Sequence, residues 1–435
     1  MDFKKINIYY IVTLLFVLVS ANASFLSASD LLWAAVIVFM FIVALQKKIL
    51  TQKTVRTLVI FSLVYLLFVA VRDLLINALE IRFLVSDIVF LFKLIYLTYL
   101  YCILLKDKAS AYLVDVITHL TVISFFFYLF QLVQGDTLYK FSTALNLQTN
   151  NTVPGYTNFL IFTFHKNFHD FANSGFSWEP GAFGCFLIIA LLLNLFLKKF
   201  KFDSKSVVLI IGIATTAATT DYLALIVVLF LVYRYRVPKI NLGAVILIML
   251  FIGVVILIPF LGSKIKDTYY EDLDDLKRLK YLEVFYRHNK MQIPLNRFSS
   301  MVYIFNTFTA QLILGVSNKY DEIVNKAFNI NISNGIFDFL PKFGLVGFIY
   351  LIYNYGRFCI QSVRKVEYLI YCILVLLVIG FGEPILVLPI VLMFIFLPAK
   401  QVNLQKRGRG LPGEGEEEEA EDPLKKYLAT SRRRV

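Results

Sequence analysis

The sequence predicts an all-α polytopic membrane protein of about 12 transmembrane helices, with two of the helix pairs forming short hairpins and with two long outer loops. Three observations carry that prediction. First, 59% of the 435 residues are hydrophobic and 17% charged, with a mean hydropathy of +0.72; soluble chains lie nearer half apolar and a quarter charged. Second, long apolar runs recur along the chain. Third, lysines and arginines cluster between those runs, the pattern that sets membrane orientation. A soluble enzyme and a disordered protein are both excluded. A dozen spans of ~20 residues use about 240 residues, which leaves loops but no separate soluble domain. The net charge of +13 is spread as orientation signals and is not gathered into a nucleic-acid-binding patch.

The runs, in order, are 6–24, 31–46, 57–72, 84–105, 111–133, 181–197, 206–219, 221–233, 240–261, 336–355, 367–381 and 384–397. Most are long enough to span a bilayer with some tilt. Four are short and form two pairs, broken by Thr219-Thr220-Asp221 and by Gly382-Glu383-Pro384. Lys198, Lys199, Lys201 and Lys205 precede the first pair, and Arg234, Arg236 and Lys239 follow it. Arg364 and Lys365 precede the second, and Lys400, Lys406 and Arg407 follow it. Both ends of each pair are therefore inside, so each pair is a hairpin that crosses twice. Their shortness places the tips below the outer surface, where polar backbone is tolerated only within protein or against a wet cavity.

The remaining basic clusters, Lys4-Lys5, Lys47 to Arg56, and Lys106 with Lys108, also fall inside, so both termini are expected in the cytoplasm. Lys4-Lys5, an apolar run and Ala21-Asn22-Ala23 have the form of a signal peptide, but an uncleaved first helix is the expectation. The outer loops cover about 134–180 and 262–335. In the second, Leu273, Leu276, Leu279, Leu282 and Phe285 recur at every third residue. That amphipathic stretch is expected to lie on the outer membrane surface or to cap a cavity. The domains are thus a transmembrane unit over 1–407 and a polar tail over 408–435, with Glu416 to Glu419 and Arg432 to Arg434. The tail reads as a disordered cytoplasmic segment or one foreign to the native chain.

Several residues stand out chemically. Trp178-Glu179-Pro180-Gly181-Ala182-Phe183-Gly184 opens the sixth run. Pro180 suits the first helical position, and an acid before it favours the helix dipole, so a helix start is the plain reading. The functional reading makes Glu179 a carboxylate at a cavity mouth, able to hold or deprotonate a hydroxyl. Arg297 is either an interfacial arginine or a phosphate clamp, since guanidinium grips phosphate bidentately and keeps its charge. Asp221 and Glu383, at the hairpin tips, are costly at depth unless paired or wet. The tips either line one central cavity or reach the outer headgroups. Asp87, Lys93 and His119 fall inside spans; Asp87 and Lys93 are six residues apart, which favours partners on other helices. His165 and His169 would share a helix face, but no third metal ligand is nearby. Cys102, Cys185, Cys359 and Cys372 lie in or beside apolar runs without a CxxC pair, so neither disulfides nor a zinc site is expected.

In this order the parts resemble a family. The Glu179 to Gly184 segment looks like the Glu-Pro-Gly-Ala-Phe-Gly signature of Wzy-type polysaccharide polymerases, a group that includes the O-antigen ligases and is similar to GT-C-type membrane glycosyltransferases. Thr219-Thr220-Asp221-Tyr222-Leu223 resembles their hairpin. Arg297 with Leu314-Gly315-Val316, and Asn334-Gly335 through Phe343-Gly344-Leu345-Val346-Gly347, are similar to their two later motifs. The resemblance covers roughly 170–350 and the final hairpin.

What it implies is polymerisation of lipid-linked oligosaccharide repeat units on the outer face of the bacterial inner membrane. The growing glycan would pass from undecaprenyl diphosphate to the non-reducing end of another lipid-linked repeat unit, with no metal or cofactor. It implies Arg297 at the diphosphate and Glu179 at the hydroxyl or in the loop architecture. Arg287, Arg278, Asp221, Tyr222, Asn334 and Lys342 become candidates for binding substrate. The implied partners are the undecaprenyl-diphosphate-linked oligosaccharide, membrane lipid, a chain-length regulator and a flippase, and not nucleic acid. Two alternatives stay open, a lipid-linked glycan flippase and an O-antigen ligase. Flippases usually have repeat-related halves and short loops, which this chain lacks. The ligases commonly carry a histidine where Ser333 stands here.

Overall fold

The computed structural model describes residues 7–76, 80–145, 155–166, 170–237, 269–274, 276–288, 292–317, 319–327 and 330–397. The expected span over 240–261 and the tail 408–435 lie outside the described residues. Within them the chain is predominantly helical. Helices Gln52–Leu75, Pro180–Leu197 and Gly335–Val363, and the helical stretch Ile81–Ala144, which turns at Lys106–Lys108 (Lys106 φ +47°), are long and apolar enough to cross a membrane. Ile8–Ser20, Asp30–Gln46, Ser204–Thr215 and Val366–Gly382 are shorter apolar helices.

Helix Pro180–Leu197 is the axis of the core. Nearly every one of its side chains is buried, among them Phe183, Phe186, Leu187, Leu191 and Leu195. Such all-round apolarity suits a helix enclosed by others. The first apolar run packs as helix Ile8–Ser20, with Phe16 stacked on Tyr101 at a centroid distance of 3.9 Å. Helix Gln52–Leu75 instead turns Leu63, Val64, Leu67 and Leu74 outward, all more than half exposed. An apolar face of that extent is stable against hydrocarbon and not against water.

Two helices break where function or packing requires it. Ile81–Ala144 winds through a π turn at Leu91–Tyr96 and kinks at Gln134. Gly335–Val363 breaks at Gly344, φ +70°, three residues after Pro341. Proline removes a helical N–H and crowds the preceding turn, so carbonyls near the break need other partners. Val316 N donates to Pro341 O at 2.6 Å and Ser317 N to Lys342 O at 3.2 Å. Gly315, φ +78°, makes that close approach possible, since a Cβ there would lie 2.7 Å from Gly344 N.

Several expectations are corrected. The first hairpin breaks at 216–218, earlier than Thr219-Thr220-Asp221, because Thr216 Oγ1 turns back to Ile213 O and accepts from Ala218 N. Asp221 therefore sits in the first turn of helix Thr219–Arg236 and not at the tip. The run 384–397 is helical only over Pro389–Phe396, about 12 Å long. Pro389 fixes its start, and Ile390, Val391, Leu392, Met393 and Phe394 are all buried in protein. The two long loops also contain short strands. Tyr156–Asn158 pairs antiparallel with Thr163–His165, and Ile293–Leu295 pairs parallel with Ile330–Ile332. The loop expected from 134 does begin at a break, the non-helical Gln134, but its first stretch is a further helical segment to Ala144, whose Leu138 packs with Phe159, Phe162 and Phe164. In the amphipathic stretch, Leu276, Leu279 and Leu282 turn into a second core with Ile293, Leu295, Ile304 and Phe308. Their apolar face is thus covered by protein, because the short strands and helix Arg297–Phe308 offer a closer apolar partner than the bilayer.

Candidate functional site

The parallel strand pair builds one side of the site. Parallel neighbours run out at the same end, so residues following Leu295 and Ile332 emerge together. Ser333 confirms the register, donating from N and Oγ to Leu295 O at 3.2 and 2.7 Å. One strand then starts the helix that Arg297 opens, and the other starts the helix that Asn334 caps. Asn334 is fully buried. Its Oδ1 accepts from Ile336 N and Phe337 N, and its Nδ2 donates to Arg297 O at 3.1 Å. It holds the backbone of Arg297 and has no face left for substrate.

Arg297 occupies the first turn of helix Arg297–Phe308, where a cation opposes the helix dipole. Two carboxylates offset this. Asp272 Oδ2 accepts from Phe298 N at 3.1 Å. Glu383 Oε1 accepts from Arg297 Nη2 at 3.0 Å, while Arg297 Nε donates to Gly382 O at 3.2 Å. The Glu383 side chain is 2% exposed and that of Arg297 34%. The pair is therefore anchored at the acid end and open at the guanidinium end.

The glycines of the Glu179 to Gly184 segment are slots for two acids. A Cβ on Gly181 would overlap Oε1 of Glu383, and a Cβ on Gly184 would overlap the carboxyl of Asp221. Three residues apart, they lie on one face of helix Pro180–Leu197, so both hairpins dock against the same helix through their carboxyls. Glu179 precedes that helix. It accepts from Trp178 Nε1 at 2.7 Å and shares the cavity lining with Glu383. Trp178 thus orients Glu179 as well as anchoring the loop.

These groups line one cavity of about 770 Å³. Glu179, Glu383 and Arg297 supply its charge, Thr216, Thr219 and Thr220 its hydroxyls, and Phe171, Leu223, Phe298, Ile336, Leu377 and Phe381 its apolar walls. Of the two sequence alternatives for the hairpin tips, the structure gives the shared cavity. Asp221 lies behind the wall, fully buried, accepting from Thr216 Oγ1 at 3.1 Å and from the Cys185 thiol at 3.9 Å. Its role is in packing the hairpin. Gly184→Ala should cost about 1–3 kcal/mol in overpacking, and Asp221→Ala in the same chain should relieve part of it. Thermal unfolding in detergent of the two single variants and the double measures this. Strictly additive losses would contradict the slot.

The other sequence candidates lie elsewhere. Tyr222 donates its hydroxyl to Ala214 O at 2.8 Å and does not line the cavity. Arg278 is exposed and paired with Asp274 at 2.7 Å. Lys342 Nζ is paired with Asp338 at 2.7 Å, over the ring of Tyr320. The side chain of Arg287 lies outside the described residues. Asp87 and Lys93 find partners on other helices, Arg72 at 2.8 Å and Asp30 at 2.8 Å. His119 is hydrogen-bonded to the Tyr10 hydroxyl at 2.9 Å. His165 sits on strand Thr163–His165, bonded to Trp178 O at 2.8 Å, so the helical metal-ligand reading fails; His169 lies outside the described residues. No cluster of three or more potential metal ligands occurs among the described residues. Glu383, read from the sequence as a hairpin-tip acid that lines a central cavity or reaches the headgroups, lines the cavity, and its pairing with Arg297 is what the sequence did not show. Its depth in an apolar context was the available signal. No known protein family, characterised protein or solved structure matches the chain.

Proposed function

We propose that this chain polymerises lipid-linked oligosaccharide repeat units on the outer face of the bacterial inner membrane. The observation that carries the reading is the half-open guanidinium of Arg297, pinned by buried Glu383 and facing the same cavity as Glu179. In the proposed reaction an acceptor hydroxyl attacks the anomeric carbon of the donor glycan. The bond to the diphosphate oxygen breaks, and the diphosphate leaves with the electron pair beside Arg297. Glu179 takes the hydroxyl proton. Undecaprenyl diphosphate is a good leaving group once its charge is met, so the reaction needs no metal or other cofactor. The apolar walls suit the polyprenyl chain. In this reading both termini are cytoplasmic, as the basic clusters between the apolar runs suggest, the cavity opens on the outer side, and a flippase and a chain-length regulator are the expected protein partners.

The test is deletion of the gene in its source organism, followed by gel separation of surface and lipid-linked glycan. Single repeat units in place of a ladder are expected. Long chains stranded on the carrier would indicate a ligase instead, and repeat units held on the cytoplasmic face a flippase.

A further inference from the structure

The aromatic residues beside the cavity form a line that the proposed reaction does not use. Phe381 and Phe298 both face the cavity, with ring centroids 5.6 Å apart. Phe298 meets Tyr269 at 5.2 Å, and Tyr269 meets Tyr270 at 5.5 Å. Exposure rises along the line: Phe298 is half-buried, Tyr269 is 40% exposed and Tyr270 61%. The line is fixed relative to the cavity, because buried Asp272 reaches from the tyrosine segment to Phe298 N.

Its surroundings select the ligand. Glu271 is exposed between the tyrosine pair and Asp272, and Asp274 follows, bound to Arg278. Charged neighbours place the tyrosines in water and not among acyl chains. Acidic neighbours disfavour a phosphate-bearing group. What remains is a neutral ligand with both apolar C–H faces and hydroxyls. C–H groups with partial positive charge settle on the negative face of an aromatic ring, and tyrosine hydroxyls add donors and acceptors.

We infer that Tyr269 and Tyr270, continued by Phe298, form a saccharide-binding track leading to the Arg297 cavity, which holds the sugar rings of the acceptor or of the growing chain. This rests on the polymerase reading for its biological use but not for its binding chemistry. Losing each ring should weaken saccharide binding by roughly two- to tenfold.

Two readouts test the track. The first compares glycan ladders from cells carrying the full chain with Tyr269→Ala/Tyr270→Ala and with Tyr269→Phe/Tyr270→Phe, at equal protein level. The alanine pair should still form the first linkages but lose the long products, while the phenylalanine pair keeps them. An unchanged ladder with the alanine pair overturns the track. The second readout uses purified protein and the free repeat-unit oligosaccharide released by mild acid from the lipid-linked pool. Weaker binding by the alanine pair than by wild type supports the track even where wild type polymerises nothing, an outcome that sinks the polymerase reading alone. Equal binding by both, or none by wild type, overturns the track.

Discussion

Arg297→Ala is expected to abolish polymer formation, with a loss of at least about 10²–10³-fold, the scale of removing a preorganised charge from the site where charge develops. The substitution also strands Glu383, whose side chain is 2% exposed and has Arg297 as its cation. An unpaired buried acid is strongly destabilising, so the single variant mixes two effects. Arg297→Ala/Glu383→Gln separates them by restoring protein level without restoring the guanidinium. The double variant is expected to be present in the membrane and inactive. Arg297→Lys keeps the charge but loses the fork, and it should retain a small fraction of activity. Ladder formation in a deletion strain, normalised to membrane protein, checks all three. Normal activity in the well-folded double variant would remove Arg297 from the chemistry.

The largest effect on stability is expected at Arg72, which the cavity does not touch. Its side chain is fully buried within the apolar helix Gln52–Leu75. Nε donates to Asp73 at 3.0 Å, Nη2 to Asp87 at 2.8 Å and Nη1 to Lys342 O at 3.3 Å. Asp87 also accepts from the hydroxyls of Tyr65 and Ser317. The guanidinium thereby ties two helices to the Gly315–Gly344 contact, just beyond the helix that begins at Arg297. Arg72→Met leaves Asp73 and Asp87 without a cation and should cost about 3–5 kcal/mol. Arg72→Met/Asp87→Asn should recover part of that loss. Unfolding midpoints in detergent measure it. A single variant as stable as wild type would mean the network is solvated and holds nothing in place.

Local physics was legible in the sequence, and long-range pairing was not. Pro180 behind Glu179 starts a helix because capping acts within one turn. Among the described residues most apolar runs lie where helices form, because a long apolar stretch must satisfy its backbone internally; the run 384–397, helical only over Pro389–Phe396, is the exception. The first hairpin break was misplaced because a threonine hydroxyl can satisfy backbone groups in a turn or ride inside a helix, and composition does not say which. Strands of three residues, Ile293–Leu295 and Ile330–Ile332, are too short to show an alternating pattern, yet they set Arg297 beside Asn334. The Arg297–Glu383 pair joins positions 86 residues apart, and no local rule finds it. Asn334 was read as a substrate contact through family resemblance; the geometry makes it the support for Arg297. Arg72 lay unremarked at the end of an apolar run, where an arginine ordinarily snorkels to the headgroups, whereas here it turns inward to two aspartates.

The proposed transfer of glycan from a polyprenyl diphosphate in the Arg297–Glu383–Glu179 cavity is open to direct test. Reconstitution tests it most directly: purified protein in vesicles, supplied with lipid-linked repeat units extracted from the deletion strain, with products separated by size. Wild type is expected to give a ladder and released polyprenyl diphosphate in matching amount, and Arg297→Ala/Glu383→Gln neither. Repeat units that stay single under wild-type protein, or a ladder that persists in the double variant, would contradict it.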